Sequence, residues 1–112
     1  MRFISAQLVL VLGYLHSLNV VYRDLKLENI LIDERGYIKL IDFGISKQIN
    51  IPKKERTYSL KGTNEYMAPE MLNKKGYSYQ IDWWAVGTLM YEMLTGLTPF
   101  LADDSEIMFK NI

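Results

Sequence analysis

Residues 20–32 read VVYRDLKLENILI. Aliphatic residues at both ends flank a polar centre, YRDLKLEN, that holds Arg23, Asp24, Lys26, Glu28 and Asn29. A surface strand alternates apolar and polar positions, and an amphipathic helix spaces its apolar positions by three and four. This stretch follows neither pattern. It reads as buried strand, polar loop, buried strand, and a polar loop held between two buried strands is a place where chemistry can be done.

Upstream, RFISAQLVLVLGYLHS contains a helix over residues 3–16, apolar around most of its circumference and therefore expected to pack on several sides. The apolar run 8–15 is long enough for a signal-peptide core but is too short to span a bilayer. It has no small-x-small cleavage site, so a buried helix is the reading it supports. Downstream, ILID (30–33), ERG and YIKLI (37–41) predict a hairpin turned at Gly36. From Gly44 to about Gly62 periodicity is lost, and QINIPKKERTYSLKGT reads as a long polar loop, a kind that is usually functional or disordered. PEMLNK predicts a short helix with Pro69 in its first turn. Ser78 is placed to cap a helix from about Tyr79 to Thr95 that Gly96 stops. With only Asp82 and Glu92 as charges, that helix should be a central core helix surrounded by neighbours. Asp103, Asp104 or Ser105 is placed to cap a last helix, EIMFKNI. The fold class is mainly α with a small β-hairpin, and 112 residues suffice for one modest domain.

Thirteen basic and 13 acidic residues cancel, so nothing global points to nucleic acid or an anionic membrane. The absence of cysteine excludes a disulfide scaffold and cysteine-ligated zinc, and it fits a reducing, cytoplasmic compartment.

Asp24, Lys26 and Asn29 are followed, after one hairpin strand and the turn, by DFG at 42–44. An acid, an amine, an amide and a second acid at the ends of paired strands could surround one anionic substrate. Asn29 and Asp42 offer hard oxygen ligands of the sort that hold Mg²⁺ while phosphate oxygens complete its shell. Lys26 offers a point charge for a phosphate. Asp24 remains as a carboxylate able to orient a hydroxyl and accept its proton, help worth about 10²–10⁴-fold. Taken one at a time, the same residues also fit loop side chains bonding their own backbone.

Three motifs in order decide between these readings: RDLKLEN (23–29), DFG (42–44) and APE (68–70). With them the chain resembles the eukaryotic protein kinases, whose signature has this order. The likeness runs through most of the chain, from RFISAQLVLVLGYLHS to DWWAVGTLMYEMLTGLTPF. YRDLK, with Tyr22 in place of the usual His, and GTNEYMAPE and DWWAVGTLMYEM resemble the basophilic group of cyclic-nucleotide-dependent, ribosomal S6 and Akt-like kinases. Lys26 and Thr63 imply serine/threonine rather than tyrosine specificity.

The resemblance implies ATP and Mg²⁺ as cofactors and protein substrates with basic residues near the target. It implies Asp24 as catalytic base, Lys26 as the contact to the transferring phosphate, Asn29 and Asp42 as Mg²⁺ ligands, and Thr63 as a shaper of the hydroxyl pocket. Glu70 then anchors the activation segment, and Asp82 ties the central helix to the catalytic loop. Ser59 stands where the group carries an activating phosphate, added by an upstream kinase, with Arg23 and Lys47 to pair with it. Glu28, Glu92 and Glu65 match positions that receive substrate arginines. Leu27 replaces a common Pro, and Lys61 stands where near relatives often have Cys. No Gly-rich phosphate loop, V-A-I-K lysine or partner glutamate is found, although the kinase template needs that Lys–Glu pair. The chain is therefore expected to be a segment of the larger lobe, inactive alone and lacking the smaller ATP-binding lobe. The rival expectation is a non-catalytic module, derived from a kinase, that binds substrates or partners.

Overall fold

The computed structural model describes residues 2–112. Helix α1 spans Arg2–Ser17, and Leu18 and Asn19 close it with bonds back to Leu15 and His16 carbonyls, Asn19 taking a left-handed φ of 61°. That reversal sends the chain into strand β1, Val20–Val21. The polar loop follows, ending in a 3-10 turn over Leu27–Asn29. Strands β2, Ile30–Ile32, and β3, Ile38–Leu40, form the expected antiparallel hairpin. Its turn works because the Asp33 carboxylate accepts the Arg35 and Tyr37 amides while Gly36 adopts φ +84°. Gln7 of α1 docks it, donating to the Gly36 carbonyl and accepting from the Ile38 amide.

The segment expected to lack regular structure carries strand β4, Lys47–Gln48, which pairs antiparallel with β1. Further on, Thr57 bridges to Tyr77 in both directions at 2.9 Å. A two-residue polar strand has no periodicity to betray it; its partner across the fold defines it. Helix α2 is Pro69–Leu72, helix α3 is Gln80–Thr95 and helix α4 is Ser105–Asn111. Gly96 ends α3 as expected, at φ 82° with its amide on the Glu92 carbonyl. Ser78 does not cap α3: Tyr79 occupies that position with helical angles and no side-chain bond. Of the three candidates at α4, Asp104 is the cap, accepting the Glu106 amide at 2.6 Å.

Leu8 and Leu12 of α1 meet Ala85, Val86 and Leu89 of α3, and Tyr22 and Leu25 of the polar loop fill the space between them. A second cluster joins Val21 and Ile49 to Met67, Met71 and Ile81. Each buried Leu, Val, Ile or Met among them contributes about 1.5–3 kcal/mol. The polar loop is thus pinned from below by its own apolar residues.

Three expectations of burial are corrected. Helix α1 buries only Leu8 and Leu12 fully, and Leu10 and Tyr14 are 73% and 64% exposed. Helix α3 buries one face, Ile81, Asp82, Ala85, Val86, Thr88 and Leu89, while Gly87 is exposed and beyond Leu89 the side chains of Tyr91 and Leu94 lie open. Strand β2 is not a buried strand, since Leu31 and Ile32 are more than half exposed. Apolar composition says what a face would gain from cover, and packing decides which face receives it. No helix among the described residues is long and apolar enough to cross a membrane.

Candidate active site

The polar loop owes its shape to α3. Asp82, 1% exposed in the helix's first turn, accepts the Tyr22 amide on Oδ2 and the Arg23 amide on Oδ1, both at 2.9 Å. The Oδ2 atom also meets His16 Nε2 at 2.7 Å. Arg23 takes a left-handed φ of 73°, an uncommon conformation for a side-chain-bearing residue. The two bonds to Asp82 hold the backbone through that bend, so its cost is met where the loop is most tightly fixed.

Beyond the bend, three side chains converge on Asp24. Its Oδ1 accepts the Thr63 hydroxyl at 3.0 Å, and its Oδ2 accepts Asn29 Nδ2 at 3.0 Å. Lys26 Nζ lies 3.4 Å from Oδ2 and donates to Thr63 Oγ1 at 3.1 Å. Asn29 Nδ2 also donates to the Asp24 carbonyl at 2.8 Å. Thr63 reaches the loop because Gly62 passes it closely: a Cβ there would sit 3.0 Å from the Arg23 carbonyl, and its φ is +129°. Asp24 is thereby fixed in rotamer with lone pairs to spare, since an ionised carboxylate offers about four acceptor sites.

Asp42 enters from the other strand of the hairpin. The Ile41 amide bonds the Asn29 carbonyl at 3.0 Å, extending the β2–β3 ladder and setting Asp42 beside the loop. Asp42 adopts φ 58° and accepts the Gly44 amide on Oδ1 at 3.0 Å. The Tyr22 hydroxyl, donating to the Ile41 carbonyl, lies in the fields of both acids. Burial first, then Asp24 and Asp42, drive its pKa well above the ordinary tyrosine value. The donor set fits a divalent cation. Asn29 spends its amide nitrogen on Asp24, turning its oxygen away as a ligand, and Asp42 adds a charged oxygen.

Ser59 is met by its own group of residues. Arg23 Nη1 donates to Ser59 Oγ at 2.9 Å and to the Tyr77 hydroxyl at 3.3 Å, while Arg23 Nε holds the Ile45 carbonyl. Lys47 Nζ donates to Thr57 Oγ1 at 3.0 Å, and Thr57 Oγ1 stands 3.5 Å from Ser59 Oγ. Both expected cations, Arg23 and Lys47, therefore reach the neighbourhood of Ser59, one directly and one through Thr57.

Residues 1–112 match the protein kinase domain. The chain belongs to the protein kinase family. It is similar to ribosomal protein S6 kinase alpha-3 of Mus musculus, 54% identical over 103 residues that cover 92% of this chain and 14% of the relative. Human ribosomal protein S6 kinase alpha-1 is 55% identical over the same coverage. Human serine/threonine-protein kinase Sgk1 is 51% identical over 111 residues, 99% of this chain and 26% of the relative. The chain thus spans between 14% and 26% of the length of these relatives.

Among the acids expected to read substrate, Glu92 accepts the buried Tyr66 hydroxyl. Burial, then Glu92, push the Tyr66 pKa far up, with a smaller contribution from Glu28. Glu28 and Glu92 therefore share one neighbourhood on this kinase-family surface, Glu28 exposed and Glu92 half-buried. Glu65 sits half-buried in the 3-10 turn Asn64–Tyr66. Glu70 opens α2 and forms no ion pair among the described residues.

Sequence reasoning passed over three residues. His16, in the last turn of α1, bonds Asp82. Tyr77 and Tyr66 were not singled out, yet their hydroxyls serve Ser59 and Glu92. A pairing of polar tips across 18 or 26 positions leaves no local signal.

Proposed function

We propose that these residues are the larger-lobe part of an ATP- and Mg²⁺-dependent serine/threonine protein kinase. It acts inside the cell on proteins carrying basic residues near the target hydroxyl. The observation that carries this reading is the convergence on Asp24, whose two oxygens are held by Thr63 on one side and by Asn29 and Lys26 on the other. Held this way, Asp24 would present a free lone pair to a substrate Ser or Thr hydroxyl, orient it and take its proton. Lys26 would supply positive charge beside that carboxylate for the phosphoryl group. Thr63, bonded to both, would set the distance between base and cation. Asn29 and Asp42 would hold Mg²⁺, which neutralises charge on the phosphate oxygens. Glu28, Glu92 and Glu65 would favour arginines beside the target, and Ser59 would receive the phosphate of an upstream kinase.

Phosphoryl transfer also needs the Lys–Glu ion pair of the nucleotide-binding lobe, so the test uses the full-length protein. It should transfer phosphate from ATP to a serine peptide with upstream arginines, and Asp24→Asn should lower the rate by about 10²–10⁴-fold. Replacing those arginines by alanine should weaken KM more than kcat. Transfer untouched by Asp24→Asn would overturn the reading, as would a folded protein that binds ATP and Mg²⁺ but transfers nothing.

A further inference from the structure

Five of the chain's 13 basic residues stand close together on two loops, Lys53, Lys54 and Arg56 on one and Lys74 and Lys75 on the other. All five are exposed. Arg56 joins the loops, its Nη1 donating to the Lys75 and Gly76 carbonyls at 3.3 and 3.2 Å. None of the five enters an ion pair among the described residues. Two acids also line the surface: Glu55 turns its carboxylate into its own loop, accepting the Asn50 amide at 2.6 Å, and Glu70 shares a cleft with Arg56 and Lys75, so that the five cations outnumber the acids. In a chain of zero formal net charge, this is a local excess of positive charge.

The surface is concave. One cleft runs past Pro52, Lys54 and Tyr79, a second past Lys75 and Tyr77, and they adjoin at Arg56, Ser78 and Gln80. Cations form the rim, and half-buried or buried tyrosines and a serine form the floor. A bilayer would be met by several projecting apolar side chains, whereas here Tyr77 is buried, Ile51 and Tyr79 are half-buried, and of the apolar side chains lining the clefts only Pro52 is exposed. An extended peptide fits such a trough, with carboxylates on the rim and an apolar side chain against the floor. We propose that these two loops form a docking surface for an acidic peptide segment of a partner protein. None of Glu28, Glu65 and Glu92 lines either cleft, so this surface is separate from the one proposed to read basic targets.

The probe is a fluorescent peptide of mixed Asp and Glu with one central Leu, titrated into the full-length protein. Its affinity should fall as salt rises. The Lys53→Glu/Lys54→Glu and Lys74→Glu/Lys75→Glu variants should each bind it at least about tenfold more weakly. Arg35→Glu/Lys39→Glu, the same change of charge on the exposed hairpin, should stay within about twofold because long-range effects are screened. Thermal melts would establish that each variant is folded. Equal loss in the hairpin variant would mean that net charge alone is at work. Equal binding of the Asn/Gln version of the peptide would remove the role of the cations. Tighter capture by phosphatidylserine vesicles than by the peptide would assign the patch to lipid. Any of these results, or absence of peptide binding, overturns the proposal.

Discussion

Asp82 and Tyr22 are 60 positions apart, and a carboxylate oxygen of the first accepts the backbone amide of the second at 2.9 Å in a buried setting. The same carboxylate takes the Arg23 amide and His16. Replacing Asp82 by Ala strands two buried amides at the base of the polar loop. Each unsatisfied group costs about 1–3 kcal/mol, so Asp82→Ala should destabilise the fold by about 2–5 kcal/mol in urea titration. Asp82→Asn keeps one acceptor and should cost about half as much. A loss below about 0.5 kcal/mol for Ala would mean that water replaces the carboxylate.

The two perturbed tyrosines give stability a pH dependence of definite sign. Burial foremost, then Asp24 for Tyr22 and the Glu92 bond for Tyr66, raise both phenols above their ordinary value near 10. Below about pH 10 their contribution is fully present, because both folded and unfolded chains hold the protons. As pH climbs past about 10 the unfolded chain releases them first and the folded state loses ground. Urea midpoints should therefore fall between about pH 9 and about pH 11, and the fall should be shallower in Tyr22→Phe and in Tyr66→Phe. An identical slope in all three proteins would assign the fall to other groups.

Gly62 carries the contact between the segment that leads to Thr63 and the polar loop. At φ +129°, with the Arg23 carbonyl 3.0 Å from where a Cβ would stand, a side chain here would be strained and would crowd the backbone of the loop. Gly62→Ala should cost about 1–3 kcal/mol and withdraw Thr63 from Asp24. Exchange of the backbone amides around 62–66 should accelerate together with the stability loss. Gly87→Ala, where nothing lies within 4 Å in the middle of α3, is the contrasting control and should be neutral or stabilising.

What could be read in advance divides along physical lines. Helices α1 and α3 and the hairpin were legible because apolar content, Gly36 and Gly96 act locally. Asp24, Lys26, Asn29, Asp42 and Thr63 were picked out by the resemblance to the protein kinases, and the structure brings Lys26, Asn29 and Thr63 onto Asp24. Strand β4 was hidden, as Lys47–Gln48 is a strand only by virtue of β1. The exposed faces of Leu10, Leu31 and Leu94 were hidden too, since an apolar residue looks the same whether or not a neighbour covers it. His16 and Tyr77 act through single polar atoms meeting distant partners.

Ser59 offers the sharpest test of the cluster built around Arg23. A phosphate there would add about −1.5 to −2 charge beside a guanidinium already 2.9 Å from the serine oxygen. Lys47 lies one hydroxyl further on, at Thr57. Hydrogen bonds to charged groups contribute about 1.5–3 kcal/mol, so phosphorylation should raise the melting temperature and slow amide exchange across residues 55–62. Arg23→Ala should remove most of that gain, because it deletes the direct partner. Lys47→Ala should remove less, because its ammonium must first leave Thr57. Tyr77→Phe should leave the gain largely intact, since its hydroxyl carries no charge, although it costs the unphosphorylated protein the bond to the Ser59 carbonyl. A phosphorylated chain whose exchange matches the unmodified one would mean that Arg23 serves the loop's architecture alone, through Ile45 and Tyr77.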